Sequence, residues 1–191
     1  MSRSDPGRRA RRGSIVVEAA LLLPLLALTM VAAVDVARYL QMVARADRVA
    51  GALADMVSRA DTIRDRPAYD AQSLSTDIGV YFELARQLAA PEDLAGAGGV
   101  VIRSLTGQTG GPRVNWSRGQ GPAADLSPGG VAVLTTLPAG MNFVVAEVFL
   151  PFAPIILDRS ALLGGVGFDR VIYRRAIYRP RAGALTTLDP A

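Results

Sequence analysis

Histidine, cysteine and lysine are all absent from this 191-residue chain, and each absence closes a chemistry. Without histidine, the commonest general base and metal-ligating side chain is missing. Without cysteine there is no thiolate nucleophile, no thiolate metal site and no disulfide. All 21 basic residues are arginine, so a phosphate-binding loop ending in Gly-Lys-Ser/Thr cannot be built and no lysine Schiff base can form. Gly96-Ala97-Gly98-Gly99 precedes a β-rich run, the reverse of the strand-then-glycine order of a dinucleotide loop. Carboxylate pairs remain, for example Glu92 with Asp93 or Glu147 with Asp158, but acidic pairs on loops are mostly solvated surface. The inventory predicts a chain that is not an enzyme and takes no cofactor, metal or small-molecule substrate.

A pI near 10.1 invites a nucleic-acid reading. The excess is local, however: the first thirteen residues hold five arginines and one aspartate, and the remainder carries equal numbers of acidic and basic residues. A basic block of this kind ahead of an apolar run acts as an orientation signal, because arginine flanking a membrane span stays on the cytoplasmic side. No nucleic-acid partner is implied.

That apolar run covers residues 15–34. About 20 residues at about 1.5 Å rise span roughly 30 Å, the thickness of a bilayer core. Its one charged residue is Glu18. A carboxylate at bilayer centre costs about 2.5–3.5 kcal/mol, less near the interface, and such residues usually have a partner. Pro24 lies within the run, where it removes one helical hydrogen bond, a defect membrane helices tolerate.

Arg8, Arg9, Arg11 and Arg12, then Gly13-Ser14-Ile15-Val16-Val17-Glu18, resemble the class III signals of type IV pilin-like proteins. In those, a peptidase cuts after a glycine on the cytoplasmic side and leaves glutamate as the fifth mature residue. Counted from Ser14, Glu18 is the fifth. Leu21-Leu22-Leu23-Pro24-Leu25-Leu26, followed by Asp35-Val36-Ala37-Arg38, narrows the likeness to the TadE-like minor pilins, or pseudopilins, of the tight-adherence pilus. Ala19 departs from that pattern, which usually has an aromatic residue there. The resemblance implies processing between Gly13 and Ser14, a role for Glu18 in subunit assembly, and three kinds of partner besides the membrane: a prepilin peptidase, other pilins and an inner-membrane assembly platform. A secretory signal peptide competes, with small residues at Val31-Ala32-Ala33, but its apolar region is typically 7–15 residues long.

Helical periodicity continues past the run. Val36, Leu40, Val43, Ala46, Val49 or Ala50, Leu53, Met56 or Val57 and Ala60 recur every three to four residues and form one stripe. An unbroken helix over 14–61 would be roughly 70 Å long. The stripe has two candidate neighbours, the chain's own C-terminal domain and another subunit. Asp65-Arg66-Pro67 marks the break, since the residue before proline avoids the helical region.

A second helix is expected over 70–89, then strands at 100–105, 113–117, 143–152 and 168–179, with 119–130 an exposed Gly/Pro loop. In 143–152, Val144, Ala146, Val148, Leu150 and Phe152 form one apolar face, Glu147 lies on the other, and Pro151 marks an end or an edge. Helices followed by strands predict an α+β domain with an antiparallel sheet, of a size that suffices for one core. Arg113-Val114-Asn115-Trp116-Ser117-Arg118-Gly119, Ala146-Glu147-Val148-Phe149 through Phe152-Ala153-Pro154, and Tyr178-Arg179-Pro180-Arg181 resemble the same family less specifically. Trp116 itself reads as a core anchor.

The expected organisation is a basic leader (1–13), a transmembrane helix (14–34), an amphipathic stalk (35–66), an extracytoplasmic domain (67–181) and a tail (182–191). The N-terminus would be cytoplasmic and the domain periplasmic. A signal-anchored extracytoplasmic binding or sensory domain is the alternative of a different class.

Overall fold

The computed structural model describes residues 6–126, 137–157 and 170–191, with side chains from Val16 onward. Two compact units emerge: Met1–Tyr39 with Pro154–Phe168, and Leu40–Ala153 with Asp169–Ala191. Helix α1 (Pro6–Ser58) contributes to both. The other elements, α2 (Ile78–Ala89), β1 (Gly99–Thr106), β2 (Arg113–Gln120), a 3-10 turn at Pro122–Leu126, β3 (Asn142–Pro151) and β4 (Val171–Tyr178), belong to the second unit. The architecture is α+β, as the pattern of periods indicates.

In the first unit α1 stays helical through Pro24, and its apolar side chains are exposed, Leu21 by 72% and Met30 by 70%. In the second unit the same helix is amphipathic. Ala46, Val49, Ala50, Leu53, Ala54 and Val57 have no exposed surface, whereas Met56 is exposed. The lower stripe therefore packs into the chain's own domain, and Val36 and Leu40 at its upper end remain exposed. Ion pairs fasten this half of the helix: Arg45 to Glu92 at 3.1 Å, Asp47 to Arg174 of β4 at 3.3 Å, and Asp55 to Arg181 at 3.0 Å.

α1 stops at Ser58, three residues earlier than the stripe predicts and well before Pro67. The last turn finds partners both outside the helix and within it. The Ser58 carbonyl accepts the Arg181 N–H at 2.7 Å, and the Ser58 hydroxyl donates to the Asp55 carbonyl at 2.7 Å. Ile63, fully buried, then turns back into the core.

The second helix begins at Ile78, not at residue 70. Residues 70–77 instead form turns. The Asp70 carboxylate accepts the Gln72 N–H and the Ser73 hydroxyl accepts the Asp70 N–H, so short polar side chains outcompete helical bonding. Leu74 is exposed accordingly. Asp77 precedes the helix and is fully buried. It accepts the Leu74 N–H at 2.9 Å, Arg64 at 3.2 Å and Arg66 at 3.4 Å.

The sheet order is β2-β1-β3-β4, antiparallel throughout. β3 is thus central, and Pro151 marks its end, where the missing N–H breaks no ladder. One face carries Val100, Ile102, Trp116, Val144, Ala146, Val148, Leu150 and Ile172, matched across the strands by register. β2 carries one extra residue, Asn115, where the register shifts after Ser104. Its side-chain amide donates to the Ser104 and Thr106 hydroxyls at 3.0 and 2.9 Å. The expected loop at 119–130 is only partly one. Gly119 and Gln120 close β2, and Ala123 in the 3-10 turn is buried against Val101 and Phe149. Gly121, at φ 90°, makes the corner, and a Cβ there would lie 2.5 Å from the Leu94 carbonyl oxygen. Residues 127–130 of that segment, residues 168–169 of the expected last strand and Asp158 lie outside the described residues.

The other face of the sheet is also buried, although it holds charge. Arg103 and Glu147 are 8% and 2% exposed and pair at 3.3 Å. The Tyr173 hydroxyl donates to Glu147 at 2.7 Å, and Arg103 Nε donates to the Ser117 hydroxyl at 3.0 Å. Burial, helped by the Glu147 carboxylate, pushes the Tyr173 phenol up to about 12.

Acid sensitivity follows from the carboxylates of the second unit. The Leu74 N–H, followed by Arg64 and Arg66, lowers Asp77 from its usual 3.8; hydrogen bonds from Arg118 lower Asp65; hydrogen bonds from Arg86 and Gln87 lower Glu83 from 4.5 to about 2. A depressed folded-state pKa gives stability that is complete above the unfolded value and is lost as pH falls through the folded one. The thermal midpoint of the second unit should therefore hold steady from pH 4.5 to neutrality and fall progressively between 4.5 and about 2. Asp77→Asn should lower the midpoint at neutral pH and flatten the acid slope. Parallel slopes for the variant and the parent would remove Asp77 from this account.

Candidate functional site

The residues singled out by the sequence all lie on the first-unit part of α1. Gly13 and Ser14 are within the helical backbone. Glu18, about one helical turn beyond Ser14, is exposed. From Val16 to Val34 the side chains are exposed, apart from the half-buried Val31 and Ala32. Thr29 donates its hydroxyl to the Leu26 carbonyl at 2.8 Å and so needs no outside partner. Among the described residues, this is the one helix long and apolar enough to cross a membrane, with a mean hydropathy of 2.2 in its most apolar window and none of that window buried. A helix so exposed and so apolar is unstable in water unless lipid or other subunits cover it.

A family model for TadE-like protein matches residues 13–55, from the glycine of the leader through the apolar run into the buried stripe. This segment is TadE-like. The match leaves the sheet outside its bounds, and no curated protein and no solved structure matches the chain. TadE-like proteins are associated with the tight-adherence pilus. Together with the exposed apolar helix, the match fits a single-pass membrane protein associated with that system.

Within the first unit the structure brings together residues that sequence reasoning did not assign. Asp35, the first residue after the apolar run, is fully buried. Its carboxylate accepts backbone N–H groups from Ile155, Ile156 and Leu157 at 2.8, 2.8 and 3.1 Å, and Arg38 stands 3.7 Å away. An aspartate closing an apolar run, with an arginine three residues on, was the available signal. Its partners lie about 120 residues away in sequence and carry no polar side chain that would have announced them.

A cleft of about 290 Å³ in the second unit is lined by Met141, Asn142, Arg179, Arg181 and small residues. It lies at the lower end of the roughly 300–1,000 Å³ typical of small-molecule sites, and Arg181 is already engaged by Asp55.

Proposed function

We propose that this chain is a minor pilin, or pseudopilin, of a tight-adherence pilus. It would insert with the N-terminus in the cytoplasm, be processed by a prepilin peptidase after Gly13, and pack through its TadE-like helix among the other pilins on the inner-membrane assembly platform. The observation that carries the reading is the conjunction on one segment of the family match from residue 13, an exposed apolar helix, and the one carboxylate of the apolar run five positions after the glycine. The absence of histidine, cysteine and lysine, with the pilus association of the family, supports a role without catalysis.

Processing is directly testable. Gly13 lies between the arginines and the apolar run, so a membrane peptidase can reach it while the run stays in lipid. Mass spectrometry of protein from its native membrane should give Ser14 as the first residue, and Gly13→Leu should leave the leader attached. A mature N-terminus near Val34 would instead establish a secretory signal peptide.

Topology is the second test. With the arginine block on one side of the span and a balanced remainder on the other, the positive-inside rule orients the second unit outward. Alkaline phosphatase fused after Ala191 should be active. A fusion active only with a cytoplasmic reporter would reverse the orientation and end the pilin reading.

A further inference from the structure

Asp35 is completely buried although the residues before it on α1 are exposed. The Ile155 N–H reaches both of its oxygens, at 2.8 and 2.9 Å, and Ile156 and Leu157 add their own N–H groups. Bonds to an ionised acceptor are roughly twice as strong as neutral ones, so three consecutive amides clamp residues 155–157 to one point on α1. The segment Pro154-Ile155-Ile156-Leu157 contributes nothing polar except its backbone. Its side chains are left over: Ile155 is 59% exposed, and Ile156 and Leu157 are half-buried.

The position of the clamp defines the surroundings of those side chains. Asp35 follows Val34 directly, about 1.5 Å further along the helix axis. The polar layer of a bilayer extends only about 5–7 Å beyond the hydrocarbon core on each side. Residues bonded to Asp35 therefore lie within that layer if 15–34 spans the core. Two neighbours agree. Tyr39, one turn beyond, is of the type enriched at headgroup level, and Arg38, with its side chain 46% exposed, presents a cation where lipid phosphates lie.

We propose that the 154–157 loop is a membrane-contacting element. Asp35 holds it at the level where α1 leaves the bilayer, and Ile155 enters the boundary between headgroups and acyl chains of that leaflet. The partner is the phospholipid interface. The inference rests on the spanning role of residues 15–34, and the controls below separate the two.

The chain lacks cysteine, so single-cysteine spin labelling needs no background substitutions. Ile155→Cys, Leu26→Cys as the lipid control and Tyr69→Cys as the water control would each be labelled in the full chain, reconstituted in phosphatidylcholine–phosphatidylglycerol vesicles. Accessibility to oxygen would then be compared with accessibility to a neutral nickel chelate. The expected result is an oxygen-to-nickel ratio at position 155 several-fold above that at 69 and below that at 26. Adding Asp35→Ala should return the ratio at 155 to the water value. A water-like ratio at 155 with a lipid-like ratio at 26 overturns the loop proposal alone, and a water-like ratio at 26 overturns the span and the loop together. A label at 155 shielded from both reagents points to a protein neighbour and also overturns it. A lipid-like ratio that survives Asp35→Ala overturns the clamp. Should that variant fail to fold, the single label at 155 still decides the contact.

Discussion

Glu147→Leu should destabilise the second unit by about 3–5 kcal/mol, because it leaves the Arg103 guanidinium in the protein interior without its carboxylate. The pair lies on strands β1 and β3 at the middle of the sheet, on a face where both side chains are nearly inaccessible to water. The variant also removes the acceptor of the Tyr173 hydroxyl. The double variant Arg103→Met/Glu147→Leu should recover most of the loss, since a buried ion pair replaced by apolar groups of similar volume is often neutral or stabilising. Urea unfolding of the full chain in detergent, followed by far-ultraviolet circular dichroism, measures both. A single variant within about 1 kcal/mol of the parent would show that the charges are more hydrated than their burial implies.

The largest functional effect is expected at Glu18. On the proposed processing, cleavage before Ser14 would free an α-amino group with a pKa of about 7.7–8.0, largely cationic near neutral pH. In the proposed bundle Glu18 of one subunit would meet that amine on its neighbour, so that each charge would offset the burial of the other. Removing one partner leaves the other unpaired at a cost of roughly 3–5 kcal/mol. Glu18→Leu should therefore leave expression, insertion and the second unit intact while pilus-dependent adhesion and co-purification with other pilins are lost. Normal assembly of the variant in a strain lacking the parental copy would refute the pairing and leave the case to processing at Gly13.

The long helix and the antiparallel sheet were legible because each repeats a period. The stripe from Ala46 to Val57 and the alternation of Val144, Ala146, Val148 and Leu150 each bury one face, and burial is what periodicity encodes. The termini of the helices were less legible. Ser58 ends α1 because a backbone donor from residue 181 reaches its carbonyl, and Asp70 and Ser73 divert a stretch that propensity alone would leave helical. β3 reads as alternating apolar and mixed, yet both its faces are covered, and Glu147 is buried as fully as its apolar neighbours. That burial depends on Arg103 and Tyr173, which arrive from two other strands. Of the proposed functional segment, Gly13, Ser14 and Glu18 were assigned by motif. Asp35 was not assigned, because three of its four partner residues are apolar side chains acting through their backbone.

Trp116 is the only tryptophan, 7% exposed, and its indole N–H donates to the Leu185 carbonyl at 2.7 Å. Leu185 is itself buried, in a backbone with φ 44°. Beyond it the Asp189 N–H bonds the Ile63 carbonyl, and the Asp189 carbonyl accepts the Asp65 N–H. The tryptophan fluorescence of the chain, separable from that of its five tyrosines by red-edge excitation, thus has a single source, hydrogen-bonded to the segment that closes the fold. Unseating Leu185 would remove that bond and admit water to the indole, so a red shift of the emission would report C-terminal opening, even where an apolar helix and detergent obscure every global signal.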